Sequence, residues 1–274
     1  MKRPGPVDSE GGTSASRPLI LGVSLKMYFD IASTVRWAEA LGGIAMQRES
    51  VREDRIRLFL LPSVVSLDVV ERALRGTGVS FGAQDLHWVD RGPYTGGVSG
   101  ADLREAGCRY VEVGHAERAT IFGESVDVAQ SKFAAAVRNE LNPVLCIGEF
   151  EPMKEAAAVA ECVRQLRGYV KNIGNEAANL ELVVAYEPNW AIGQSEAAPP
   201  NYITAVTSGL RQCLESESPF QAFSVIYGGS AGEGTLTALD GGVDGLFLGR
   251  FAHDISALDG ILDEAERLVG TEGS

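Results

Sequence analysis

Glu187 closes the apolar run Val184-Ala185-Tyr186, and Pro188 follows at once, where a central strand must stop. A carboxylate at that junction suits a general base, because burial there raises its pKa. Lys26 and His115 stand in the same kind of place, each just past an apolar, strand-like run. Gly228-Gly229-Ser230 and Gly249-Arg250 also follow such runs and offer backbone N–H groups beside one guanidinium. Each feature alone has an ordinary reading: a solvated strand-end glutamate, a solvated lysine, a satisfied histidine, a turn. Together they supply a base, an imidazole, a cation and an anion cradle. The glycines of residues 228–234 lack the acidic partner about 20 residues on that a dinucleotide fingerprint requires, so they do not predict such a cofactor.

These residues need a scaffold that brings strand ends together. Apolar runs at residues 18–24, 56–61, 79–83, 110–113, 143–147, 182–186, 223–227 and 245–248 predict eight strands. Between them lie helical patterns at 31–47, 66–75, 101–106, 124–139, 152–170, 202–215, 234–239 and 255–268. Ser66 is expected to cap its helix, Gly76 to end it, and Pro199-Pro200 to stop the segment that begins at Trp190. A polar, turn-rich loop spans 84–98. Nearly continuous apolar strands suit a parallel sheet buried on both faces. Eight alternations over roughly 250 residues favour an α/β fold of the (β/α)8 TIM-barrel type, in which the carboxyl ends of the strands form one rim and the last two loops commonly hold phosphate.

The chain has 274 residues, 45% of them hydrophobic, and a net charge of −13. That charge argues against nucleic acid as a partner and requires a locally positive site for any anionic substrate. No apolar run reaches the ~18 residues that span a bilayer, so no membrane partner is expected. Residues 1–17 read as a disordered tail or a cloning remnant without the core of a signal peptide, and 18–274 as one barrel domain. Cys108, Cys146, Cys162 and Cys213 have no metal-ligand spacing and read as reduced thiols of a cytoplasmic protein.

From about Pro18 onward the chain resembles triosephosphate isomerase. The resemblance rests on Lys26-Met27, Gly82-Ala83-Gln84, Gly114-His115-Ala116-Glu117-Arg118, Phe122-Gly123-Glu124-Ser125, Cys146-Ile147-Gly148-Glu149, Ala185-Tyr186-Glu187-Pro188, Trp190-Ala191-Ile192-Gly193 and Tyr227-Gly228-Gly229-Ser230, in that order. It implies that Glu187 removes a proton beside a substrate carbonyl. It implies too that His115 polarises the carbonyl as neutral imidazole, held so by the helix turn that follows, and that Lys26 supplies positive charge, paired with Glu117. Trp190 and Tyr227 would support the site. Gly193, Ser230, Gly249 and Arg250 would meet the phosphate, and residues 188–198 would close over it. The resemblance requires no metal or organic cofactor, and makes the 84–98 loop the seam of a homodimer.

The departures from the family pattern lie in the pocket. Ser24 stands where a substrate-binding Asn belongs, Ala116 replaces a Ser, Gln194-Ser195-Glu196 replaces Thr-Gly-Lys, Arg250 replaces the second Gly of a pair, and Gly97 replaces a Glu. The first two remove volume near the reacting carbons, which predicts room for one more hydroxymethyl group. Three readings follow: an isomerase moving the carbonyl of a four-carbon ketose phosphate, of the type L-erythrulose 1-phosphate to D-erythrulose 4-phosphate; a divergent triosephosphate isomerase interconverting glyceraldehyde 3-phosphate and dihydroxyacetone phosphate; and a non-catalytic phosphate-binding protein.

Overall fold

Eight parallel strands close into a barrel in chain order. They are β1 (Leu19–Ser24), β2 (Ile56–Leu61), β3 (Ser80–Ala83), β4 (Tyr110–Val113), β5 (Asn142–Ile147), β6 (Glu181–Tyr186), β7 (Ala222–Tyr227) and β8 (Gly245–Leu248). The computed structural model describes residues 17–192 and 198–271. β8 pairs with β1 through Ile20↔Gly245 to Val23↔Leu248, which closes the ring. Helices α1 (Ile31–Gln47), α2 (Glu49–Arg52), α3 (Leu67–Leu74), α4 (Gly100–Glu105), α5 (Ala116–Thr120), α6 (Val126–Arg138), α7 (Glu155–Val170), α8 (Pro200–Glu217), α9 (Thr235–Leu239) and α10 (Ile255–Thr271) complete the fold.

Strand side chains alternate between two cores. Ile20, Phe59, Tyr110, Val144, Val183, Ala185, Ile226 and Phe247 turn inward and fill the lumen. Leu21, Leu60, Val111, Leu145, Val184, Val225 and Leu246 turn outward and bury the apolar stripes of the helices. Gly22 leaves room for the Phe59 ring, which occupies the space a Cβ there would need and stacks on Tyr110 at 4.6 Å between centroids. The lumen is therefore a solid floor, and chemistry is confined to the rim above it.

The expected strands are all present, with ends shifted by a residue at most. Three local expectations are corrected. Ser66 accepts no capping hydrogen bond, because a 3-10 turn (Val64–Ser66) runs straight into α3. α8 begins at Pro200, two residues before the expected start at 202, because at the first helical position the missing N–H of proline costs nothing. The four-residue helix α2 was not anticipated, being too brief to show a period, whereas the helix turn expected after His115 is present as α5. The tail expected over residues 1–17 lies, apart from Arg17, outside the described residues. All four cysteines are buried and unpaired. Among the described residues no helix is long and apolar enough to cross a membrane.

Candidate active site

The inward register carries the site residues upward onto the rim. Ser24 lies four residues above Ile20, Glu112 two above Tyr110, Glu187 two above Ala185, Gly228 two above Ile226 and Gly249 two above Phe247. Period-two alternation thus points all of them toward the barrel axis.

Lys26 follows β1 in a left-handed backbone conformation, φ 48°, a geometry that costs a non-glycine residue on the order of 1 kcal/mol. The Gln84 side-chain amide holds it there, donating to the carbonyls of Lys26 (3.0 Å) and Leu61 (2.9 Å). Lys26 Nζ lies 2.6 Å from Glu117 Oε1. Burial pulls the ammonium pKa down, but the hydrogen bond and charge of Glu117, with Glu187 and Glu112 behind it, outweigh that and leave it raised.

His115 is 6% exposed and caps the N-terminus of α5. Its Nδ1 accepts the backbone N–H of Glu117 at 3.1 Å. Nδ1 is then the unprotonated nitrogen, and Nε2 carries the hydrogen that faces the site. Burial, then the charge of Lys26, lowers the imidazole pKa to about 4 against the pull of Glu117, so the ring is neutral at physiological pH. α5 is itself held by a buried ion network in which Arg118 meets Asp85 (3.0 Å) and Glu124 (3.2 Å), while Lys132 meets the same two carboxylates.

Glu187 is 4% exposed. Its backbone N–H donates to Ile147 at 2.8 Å. Oε2 makes no hydrogen bond among the described residues and lies 3.5 Å from His115 Nε2. Burial first, then the charge of Glu112, raises its pKa well above the ordinary carboxylate range, with Lys26 opposing. Gly228 is required beside it, since a Cβ there would stand 2.7 Å from Glu187 Oε1. The 3-10 turn that follows (Asn189–Ala191) is tied down by Glu149, which accepts from Trp190 Nε1 (2.7 Å), Tyr202 (2.8 Å) and Tyr186 (3.2 Å). Glu149 thereby fixes Trp190 in the turn that follows Glu187. Tyr227 is fully buried, its hydroxyl in the space a Cβ on Gly229 would need.

Lys26, His115, Glu187, Ser24, Ser230, Gly249 and Arg250 line one cavity of about 790 Å3. Ser230 Oγ donates to the Ala191 carbonyl at 3.0 Å, and the space around Gly249 is open. Arg250 is exposed at the start of a 3-10 turn. Residues 193–197 of the segment expected to close, Gly193 and the hinge Gln194-Ser195-Glu196 among them, lie outside the described residues. Ala116 lines a separate cavity of about 340 Å3 that shares His115 and Glu187 with the first.

Glu112 was missed by sequence reasoning. It accepts from Ser24 Oγ at 3.2 Å and its other oxygen lies 3.9 Å from His115 Nε2. Burial raises its pKa to about 8, opposed by Lys26 and by the Ser24 hydrogen bond. The available signal was a lone carboxylate at an inward register position of an otherwise apolar strand.

This constellation, a neutral imidazole and a poised carboxylate facing a cation-bearing cavity, suits proton transfer at carbon next to a carbonyl. The triosephosphate isomerase family model matches residues 19–265. A protein of Pectobacterium atrosepticum named L-erythrulose-1-phosphate isomerase is 47% identical over 251 residues, 92% of this chain and 97% of its own. One of the same name from Rhizobium etli is 33% identical, over 90% of this chain and 91% of its own. A triosephosphate isomerase of Moorella thermoacetica is 36% identical, over 90% of this chain and 98% of its own. With a family match that spans the barrel from its first strand into its last helix, the chain belongs to the triosephosphate isomerase family.

Proposed function

We propose that this isomerase interconverts L-erythrulose 1-phosphate and D-erythrulose 4-phosphate through an enediolate. The convergence of Glu187, His115 and Lys26 on one cavity carries the reaction type. The likeness to the Pectobacterium protein, and the small Ser24 at the head of β1, support the four-carbon substrate.

The phosphate sits at the Gly228–Ser230 and Gly249–Arg250 loops. Lys26 faces the carbonyl oxygen with positive charge. The Glu187 carboxylate takes the proton from the carbon beside the carbonyl. The C–H pair becomes the C=C bond, and the carbonyl π pair moves onto oxygen. The His115 Nε2–H stabilises that oxygen, and a proton moves between the two oxygens. Glu187 then returns its proton to the former carbonyl carbon, and the carbonyl re-forms one carbon along. The raised pKa of Glu187 makes its ionised form a stronger base toward a carbon acid.

The second reading, triosephosphate isomerase, is favoured by the Moorella relative. The third reading, a non-catalytic binder, is set aside by family membership. Steady-state assays of the purified enzyme on L-erythrulose 1-phosphate and glyceraldehyde 3-phosphate separate the first two. The higher kcat/KM is expected for the four-carbon substrate; turnover of the triose alone overturns the proposal.

We further infer a homodimer in which a second copy covers the rim beside the site. Met27 is 92% exposed and Val65 71%, and Phe122 and Trp88 are also open to solvent. Met27, Trp88 and Phe122 line a cavity of about 510 Å3 that shares Ser24, Lys26 and His115 with the site. The acidic charge and the four buried thiols support a cytoplasmic location with no nucleic-acid partner.

A further inference from the structure

Glu112 is a carboxyl that the mechanism does not use. It is 4% exposed, and among the described residues no lysine or arginine lies within ion-pair distance of it. Lys26 is committed to Glu117. A buried carboxyl left without a cation costs more than an apolar side chain of similar size, so a strand with no task for it would carry valine or leucine here. Its pKa of about 8 keeps it neutral at physiological pH, with one O–H to donate. That hydrogen has few places to go. His115 Nε2 is itself a donor, because Nδ1 already accepts the Glu117 N–H. Ser24 Oγ donates to Oε2 at 3.2 Å, and Cys146 Sγ, 4.0 Å from Oε1, turns its own weak S–H toward the carboxyl.

The place of Glu112 in the fold tells what the donor awaits. It lines the 510 Å3 cavity, where that cavity joins the site through Ser24, Lys26, His115 and Glu117. The glycine loops after β7 and β8 lie across the rim from β4. Ser24, on β1 beside β8, meets Glu112 at 3.2 Å, so a phosphate held by those loops sends the far end of the substrate past Ser24 toward Glu112. A triose phosphate ends at the reacting carbons. A four-carbon ketose phosphate carries one more CH2OH, whose oxygen can accept from Glu112 and donate to Ser24.

We propose that Glu112, with Ser24, is the specificity-determining pair that binds the terminal hydroxyl of a four-carbon ketose phosphate. The inference rests on the four-carbon reading above. A site built around a substrate hydroxyl rejects the analogue that lacks it, since its own polar groups are left unpaired.

The test compares kcat/KM on L-erythrulose 1-phosphate and on glyceraldehyde 3-phosphate for the wild type, Glu112→Val, Glu112→Gln and Ser24→Ala. Glu112→Val is expected to lower the tetrulose-to-triose ratio by roughly 100-fold. Glu112→Gln keeps a neutral donor and is expected to retain the ratio within about tenfold. Ser24→Ala is expected to lower it in the same direction as valine. Equal losses on both substrates for Glu112→Val, or an unchanged ratio, overturn the proposal while leaving the four-carbon reading intact. A wild type that turns over only the triose overturns both, and shows it before any substitution is made. Should Glu112→Val fail to fold by circular dichroism, an unchanged ratio in Ser24→Ala overturns the pair.

Discussion

His115 Nε2 lies 3.5 Å from Glu187 Oε2, close enough to share one substrate and too far for a hydrogen bond between them. The imidazole therefore keeps its N–H, and the carboxylate a lone pair, for the substrate. The two residues come from the ends of β4 and β6, and each is pinned by backbone. The N–H of Glu117 fixes the ring, and the Ile147 carbonyl fixes the peptide of Glu187. Preorganisation of this kind lowers the cost of aligning base and electrophile at the moment of reaction.

Glu187→Asp shortens the base by one methylene inside that fixed frame. Misplacement of a catalytic group by about 1 Å costs on the order of 100-fold. The variant is expected to lose that much or more in kcat, with KM and the far-UV circular dichroism spectrum little changed. An unaltered kcat removes Glu187 from the reaction.

Much of this site was legible in the chain because barrel chemistry sits where apolar runs end. Lys26, His115 and Glu187 each stand just past such a run, and the motifs around them have specific spacing. Glu112 was hidden for the complementary reason. It lies within β4, between Val111 and Val113, where the run reads as apolar and the side chain's direction depends on the barrel's register. The role of Gln84 was equally opaque, since its amide bonds to the carbonyls of Lys26 and Leu61, residues 58 and 23 positions away. Ser24 was read as lost volume. In the structure it is also the partner of Glu112, a pairing across 88 residues that no local pattern displays.

Ser24→Asn tests that double role. Asparagine adds volume at the head of β1 and replaces the short hydroxyl that meets Glu112 at 3.2 Å. The variant is expected to shift the kcat/KM ratio toward glyceraldehyde 3-phosphate by roughly 10- to 100-fold. A ratio equal to that of the wild type would show that the head of β1 does not set substrate length.

Glu112→Gln should alter stability with pH in a definite direction. The folded pKa of Glu112, about 8, lies above its ordinary value of 4.5. The favourable contribution of the neutral form is thus fully present below the unfolded pKa and is lost as pH rises through about 8. Lys26, Glu117, Asp85, Glu187, His115 and Ser24 surround the group, and Lys26 and the Ser24 hydrogen bond favour its charged form. The amide does not ionise. The variant is expected to melt close to the wild type at pH 5 and several degrees higher at pH 9, at roughly 2–4 °C per kcal/mol for a chain of this size. Equal melting temperatures at pH 9 would place the wild-type carboxyl in a solvated or paired state. A gain in stability in Glu112→Gln at pH 9, with a loss of tetrulose turnover in Glu112→Val, would mark Glu112 as a residue kept for function at the expense of the barrel.

The rim beside the site offers the remaining test. Met27, Val64, Val65 and Phe122 are exposed apolar side chains on the loops after β1, β2 and β4. The loop after β3 joins them through Trp88 and Tyr94, whose indole and phenol both pack on His87 at 4.1 and 4.3 Å between centroids. Exposed apolar clusters of this kind, rimmed by charge, mark association surfaces. Sedimentation equilibrium is expected to give a dimer of the 29.1 kDa chain. Val65→Glu places an unpaired charge in the proposed seam and is expected to shift the equilibrium toward monomer by at least tenfold. Since Met27 is the neighbour of Lys26, the monomer is expected to lose kcat as well, because the left-handed Lys26 backbone would then lean on Gln84 alone. A wild-type chain that sediments as a monomer at micromolar concentration, with full activity, would leave that cluster without a partner and Lys26 independent of it.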